Sequence, residues 1–245
     1  MTAGLRYMEA ITRLMQSVQD EELPAIRQAA ESTADAILQG GKLHVFGTGH
    51  SHMLAEELFY RAGGLACINP ILEESLMLHR NASLSTAMER LSGLSALLLA
   101  QQPAKPGDAI LIASNSGRNA VVVEMALEAK AIGMTVIALT SLKQAASSAS
   151  RHASGLRLHE ISDIVIDNHG CIGDAAVRID GLPESAAPTS TVIGAFIVNL
   201  LAAEAIELLL QRGFHPELFA SSNSDGGDLR NERLIQKYKG EIRCL

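Results

Sequence analysis

Residues 109–133 read AILIASNSGRNAVVVEMALEAKAIG. The apolar run Ala109 to Ala113 follows the turn signal Pro106–Gly107–Asp108. So short and uninterrupted a run suits a strand buried on both faces. Small polar residues, Ser114 to Gly117, break it. A helix is predicted from about Asn119 to Ile132, stopped by Gly133, and Met134 to Leu139 reads as the next strand. Strand, tight loop, helix and strand in this order form a parallel unit with a right-handed crossover.

The same order occurs upstream. Lys42 to Phe46 (KLHVF) predicts the first strand and Gly47 to Ser51 (GTGHS) a turn. A helix follows from Ser51 to about Ala62, closed by Gly63–Gly64. Leu65 to Asn69 is the expected second strand, stopped by Pro70. Leu84, Met88, Leu91 and Leu98 mark a further helix. Asp163 to Asp167 is a shorter fifth strand, and Ser190 to Gln211 a long last helix ended by Gly213. Before the first strand, Leu5, Met8, Ile11, Leu14, Met15 and Val18 share one helical face, and Pro24 suits the first turn of a second helix. The tail from Phe214 reads as less regular. The expected fold is α/β, a three-layer αβα sandwich around a five-stranded parallel sheet in the flavodoxin-like order 2-1-3-4-5. It forms a single domain, with N-terminal helices over 1–41, an α/β core over 42–213 and a tail over 214–245. No linker composition or internal repeat divides it.

A chain of 245 residues suits one domain with a sizeable core. With 47% hydrophobic residues, only 3% aromatic and no Trp, that core must be built from Ala, Leu, Ile, Val and Met. The net charge of −7 and the lack of any Lys/Arg run argue against nucleic-acid binding. Cys67, Cys171 and Cys244 are too scattered for a disulfide framework or a metal knuckle. The N-terminus does not read as a signal peptide, and no stretch reads as clean enough to span a bilayer. The protein is therefore expected to be cytoplasmic, with neither a metal nor a cofactor.

Two segments place a small polar loop between a strand and a helix. One carries Gly47, Thr48, Gly49 and Ser51. The other carries Ser114, Asn115, Ser116, Gly117 and Asn119. Small residues let backbone approach an anion, helix N-termini offer unpaired N–H groups, and Ser hydroxyls add donors. In the expected strand order both loops meet at the switch point, where ligands bind. Serine after a strand is also a common helix cap, which accounts for one such loop more easily than for two. The dinucleotide fingerprint fails because His52 stands at its third glycine position, and the P-loop pattern is absent.

These loops, and above all SNSGRNAVVVEMALEAKAIGMTVIALTS from Ser114 to Ser141, resemble the sugar isomerase (SIS) domain family. The resemblance covers about Lys42 to Gln211. It implies a sugar-phosphate ligand, with Ser114, Asn115 and Ser116 holding the phosphate and Ser51 assisting. Asn119 stands where the family usually has Thr or Ser. It implies an aldose–ketose isomerase; a lyase or etherase on an amino-sugar phosphate and a non-catalytic regulator are the alternatives. It also implies a homo-oligomer, dimer or tetramer, with the N-terminal helices at the interface.

Proton transfer between adjacent carbons needs a base within hydrogen-bond reach. The family often places a Glu on the helix after the first loop. Here that helix carries Glu56 and Glu57, about a turn early. With Leu54, Leu58 and Ala62 marking the packed face, Glu57 is the expected base; solvated helix surface is the alternative reading of both. His50 and His52 bracket Ser51, and His52 is the expected assistant. Glu73 and Glu74 follow the second strand, and His79 has no assignable role. Thr191, beside Ser190 at the start of the last helix, is a further expected sugar contact. The Asn223 to Asn231 stretch suits a turn, a lid or a donation across a dimer.

Overall fold

A computed structural model describes residues 1–245. The chain opens with α1 (Ala3–Ser17), a π-helical turn (Val18–Glu22) and α2 (Leu23–Leu38). Then come β1 (Leu43–Gly47), a 3₁₀ turn (Gly49–His52), α3 (Met53–Leu58), β2 (Ile68–Ile71), α4 (Ala82–Met88) and α5 (Leu94–Ala100). The centre is β3 (Ala109–Ala113), α6 (Ala120–Ile132), β4 (Thr135–Thr140), α7 (Leu142–Ala146), α8 (Leu158–Ile161) and β5 (Ile164–Asp167). A hairpin of β6 (Ala175–Arg178) and β7 (Ser185–Pro188) precedes α9 (Ser190–Gln211) and α10 (Gly227–Tyr238).

The five main strands are all parallel in the order β2-β1-β3-β4-β5, as the alternation of strand and helix required. Alternate strand residues divide between two cores. Leu43, Val45, Leu111, Ile137 and Ile166 pack with Ile26, Ile193, Ile197 and Leu201, on the side of α2 and α9. Phe46, Ile110, Ile112, Val136 and Ala138 pack with Leu98, Val121 and Met125, on the side of α5 and α6. Side chains alternate across a strand, so a strand covered on both faces must be apolar throughout. That is why residues 109–113 carry no polar interruption. The register sets Gly47 beside Ala113 and Ala113 beside Leu139. The loops after β1 and β3 therefore leave the sheet at the same level, side by side.

Several boundaries differ from expectation. Pro70 does not stop β2; it lies within it. β2 is an edge strand, where proline is tolerated. The helix after the first loop ends at Leu58, because Phe59 turns extended and Tyr60 takes a φ of +47° to pack edge-on against Phe219, 4.9 Å between ring centres. The helix expected around Leu84 to Leu98 is two helices, separated at Gly93, whose φ is +85°. The β6–β7 hairpin was not foreseen.

The tail is more ordered than its composition suggested. α10 begins at Gly227, and the buried Asn231 side chain bonds both the Ala220 N–H (2.8 Å) and the Ala220 carbonyl (2.9 Å). By length and composition α9 is apolar enough to cross a bilayer, contrary to the reading that no stretch is. In this fold Ile193, Ile197, Leu201, Ala205 and Leu209 of α9 lie in the core shared with α2. The apolar face of α9 that meets α2 and the sheet is the one this core requires, while Val192 and Leu210 remain exposed.

Candidate functional site

The loop after β1 folds tightly. A side chain at Gly47 would place its Cβ 2.6 Å from the Ser51 carbonyl, so only glycine fits. Gly49 has a φ of +56°, and the Ser51 N–H donates to the Thr48 carbonyl at 3.0 Å. The turn thereby presents His50 and Ser51 towards the second loop. The Thr48 hydroxyl is held aside by Glu89, at 3.0 Å.

The second loop is fixed from within and from behind. Ser114 Oγ accepts the Gly117 N–H (3.1 Å), and Gly117 takes a φ of +58° with its carbonyl bonded to the Leu158 N–H at 2.8 Å. The Asn115 carbonyl accepts the Ser141 N–H at 3.1 Å. Its side-chain oxygen accepts the Asn168 amide at 3.0 Å, while Asn168 Oδ1 takes the Gly170 N–H at 2.8 Å. With its oxygen engaged, the Asn115 amide nitrogen is left as the free donor.

The third wall is the start of α9. Its N-cap, Thr189, makes no capping bond with its own side chain. Asp174, held at a φ of +60° just before the hairpin, does this work. Its Oδ1 accepts the N–H groups of Thr189 (3.1 Å) and Ser190 (2.8 Å) and the Thr189 hydroxyl (3.0 Å). Its Oδ2 accepts the Ser190 hydroxyl at 2.5 Å. The hairpin thus straps the helix start to the sheet. Close approach of α3 to α9 needs Gly194, where a Cβ would lie 2.7 Å from Leu54 Cδ1.

Between these walls is a small crevice. His50, Ser51 and Leu54 line it from the first loop and α3, and Ala113, Ser114 and Asn115 from the second. Leu139 and Asn168 close its floor, and Ser190, Thr191 and Gly194 its side. The cavity volume is about 20 Å³, the scale of one small polar group rather than a whole sugar. Hydroxyls, amides and two helix starts supply its polarity; no Lys, Arg, Asp or Glu lines it.

The structure brings together Ser51, Ser114, Asn115 and Thr191 of the expected site residues. Gly49 shapes the first loop, and Ser116 and Asn119 stand outside the lining. Asn119 is the N-cap of α6 but caps nothing with its side chain, whose Oδ1 accepts from Arg151 Nη1 at 2.9 Å.

The expected catalytic pair is placed elsewhere. Glu57 Oε1 is bonded by Asn199 Nδ2 at 2.7 Å and ion-paired with Arg61. Asn199 lies five residues beyond Gly194 on α9, about 7.5 Å further along the axis. The His52 ring is buried, its Nδ1 bonded to the Gly49 carbonyl and its Nε2 3.7 Å from Glu56. Neither residue lines the crevice: Glu57 is held by Asn199 and Arg61, and His52 by the Gly49 carbonyl. His50, in contrast, is the one ionisable side chain in the lining.

Asn168, Asp174 and Ser190 contribute most of what the sequence reading left out. Asn168 follows a strand and precedes His169–Gly170, a weak loop signal. Asp174 carries no local signal at all, since its partners are 15 and 16 residues away. No group of three or more His, Cys, Asp or Glu is placed to hold a metal.

The SIS domain family pattern matches residues 6–141. The UPF0309 protein ABC0887 of Shouchella clausii is 44% identical over 241 residues, covering 98% of this chain and 98% of that protein. The UPF0309 protein BH3325 of Halalkalibacterium halodurans is 44% identical, covering 95% of this chain and 96% of that protein. Among solved structures, a phosphoheptose isomerase from Francisella tularensis has a TM-score of 0.52 at 22% identity, over 82% of this chain and 95% of that one. The phosphoheptose isomerase GmhA from Neisseria gonorrhoeae has a TM-score of 0.52 at 19% identity, over 81% of this chain and 92% of that one. At such identities the likeness is one of fold.

Proposed function

Because this chain belongs to the SIS domain family, we propose that its crevice binds the phosphate of a sugar phosphate and that the protein is an aldose–ketose isomerase. One observation carries the reading: three separate elements aim hydroxyl, amide and backbone donors at a single small polar crevice. Ser51, Ser114, Asn115 and Thr191 hold the phosphate. Asn168 orients Asn115, and Asp174 orients Ser190. Gly49, Ser116 and Asn119 shape the two loops around it. The sugar extends outward, since the cavity is too small to enclose it.

Isomerisation through an enediol needs a group that takes and returns a proton. We assign that role to His50, the one ionisable side chain of the lining. Glu57, the base implied by the family resemblance, serves only if its carboxylate leaves Arg61 and Asn199, and His52 only if its ring leaves the Gly49 carbonyl. No metal or organic cofactor takes part in this scheme, and the reaction is placed in the cytoplasm.

The absence of any carboxylate from the lining favours a second reading, a sugar-phosphate-binding regulator without turnover. The first experiment is a thermal-shift screen of hexose, heptose, pentose and amino-sugar phosphates against the free sugars. Stabilisation by a phosphosugar alone supports the crevice; no shift with any of them removes the reading. Turnover of the bound sugar by the wild type, lost in His50→Gln or Glu57→Gln with binding retained, identifies an isomerase and its base. Binding without turnover in the wild type selects the regulator.

A further inference from the structure

The crevice holds its anion without a single lining cation, yet three arginines gather close by. Arg118 lies within the second loop, and its carbonyl accepts the Arg151 N–H at 2.8 Å. Arg151 in turn donates through Nη1 to Asn119 Oδ1 at 2.9 Å. Arg90 joins them because the carbonyl of its neighbour Glu89 accepts the Val121 N–H, at 3.2 Å, in the first turn of α6.

One carboxylate, Glu89, acts on Arg151 against the charges of the other two arginines. Glu89 holds the Thr48 hydroxyl, and Glu124 is taken by the Gly93 N–H at 2.7 Å and faces His152 at 3.7 Å. The first turn of α6 has no acidic residue, and its dipole adds positive potential. Arg118 Nε is buried with no hydrogen-bond partner. Desolvation, followed by the charges of Arg118 and Arg90, pulls the Arg151 guanidinium below its ordinary value, outweighing the opposing charge of Glu89. Three like charges with too little counter-charge are a cost to the folded chain, and an oxyanion relieves it through charge-assisted bonds.

We propose that Arg118, Arg151 and Arg90 form a second anion site at the start of α6, which takes a second phosphate or a carboxylate on the same sugar phosphate. This rests on the phosphosugar reading of the crevice and narrows it to ligands with two anionic groups. The serine-lined crevice takes one, and the arginines, donating from planar forks, take the other.

Calorimetric titration of the full chain with glucose 6-phosphate and fructose 6-phosphate, their bisphosphates, and 6-phosphogluconate tests this. At least one doubly anionic sugar should bind about tenfold or more tightly than its monophosphate. A preference for bisphosphates or for the sugar acid distinguishes phosphate from carboxylate at the second position. The R118Q/R151Q variant should abolish the preference and change monophosphate affinity by less than about threefold. If that variant loses its helical circular dichroism, R151Q, at an exposed side chain, should still reduce the preference by about threefold or more. No preference in the wild type, or a preference that survives the substitutions, overturns the inference while leaving the crevice reading intact. An equal loss for monophosphate also overturns it, since the arginines would then serve the first phosphate. Failure of every sugar phosphate to bind removes both.

Discussion

Asp174 holds the start of α9 from a distance, and its replacement should separate bonding from backbone strain. In Asp174→Ala the Ser190 N–H and the hydroxyls of Thr189 and Ser190 lose their acceptor. The Thr189 N–H keeps the Asp174 carbonyl, at 3.1 Å. Bonds to a charged group contribute about 1.5–3 kcal/mol each, and a helix cap about 1 kcal/mol, with incomplete additivity. Alanine must also hold a φ of +60°, which costs about 1 kcal/mol or more. Discounted for partial exposure, the sum is about 3–4 kcal/mol, or roughly 10 °C in Tm for a chain this long.

Asp174→Asn keeps the shape, the tolerance for positive φ and one acceptor oxygen, and should lose only about 1–2 kcal/mol. Asp174→Gly loses every side-chain bond but not the backbone conformation, and should fall about 1 kcal/mol short of the alanine variant's loss. Urea unfolding of the three variants should therefore rank them Asn, Gly, Ala in increasing damage. Sugar-phosphate affinity should fall about tenfold in the alanine variant, because the Ser190 hydroxyl is no longer held. An alanine variant within 1 kcal/mol of wild type, or equal to asparagine, refutes the account.

Three further expectations concern other parts of the fold. Gly117→Ala puts a Cβ 3.1 Å from Leu158 Cβ at a φ of +58°. It should cost about 2 kcal/mol in urea unfolding and displace the second loop, weakening ligand binding; unchanged binding would show that the loop tolerates the shift. Burial raises the Asp108 pKa, but hydrogen bonds from His44 and from the Lys105 and Lys42 N–H groups outweigh it, leaving the carboxyl below its usual value. A depressed folded value stabilises fully above the unfolded pKa of about 3.9 and is lost as pH falls through the folded one. The stability gap between wild type and Asp108→Asn should thus hold from pH 7 to 5 and shrink below about pH 4. A gap constant down to pH 3 would show that Asp108 does not carry it. Leu5 and Met8 leave an apolar strip of α1 exposed, and light scattering at micromolar concentration should give a dimer or larger; a monomer mass would refute the proposed homo-oligomer.

The strand order, the layers and the two loops were legible in the sequence because each rests on a local rule. An unbroken apolar run such as Ala109 to Ala113 admits only burial on both faces, and a small polar loop after it admits only a tight turn into a helix. Ser51, Ser114, Asn115 and Thr191 sit where those rules place them, at strand ends or a helix start. What the rules did not reach depends on partners remote in sequence. Glu57 was expected because the family places a Glu on this helix and Leu54, Leu58 and Ala62 mark its packed face, but Arg61 and, from α9, Asn199 hold the side chain away from the crevice. Asp174 acquires its role only when the β6–β7 hairpin returns the chain to α9. Arg90, Arg118 and Arg151 are isolated residues in an acidic chain, and no run of positive charge announces them. They become a cluster because the second loop and the first turn of α6 draw three separate segments together. Local sequence determines which elements form and how they are capped; only tertiary packing decides which charges meet, since Coulomb energy depends on distance in space and not along the chain.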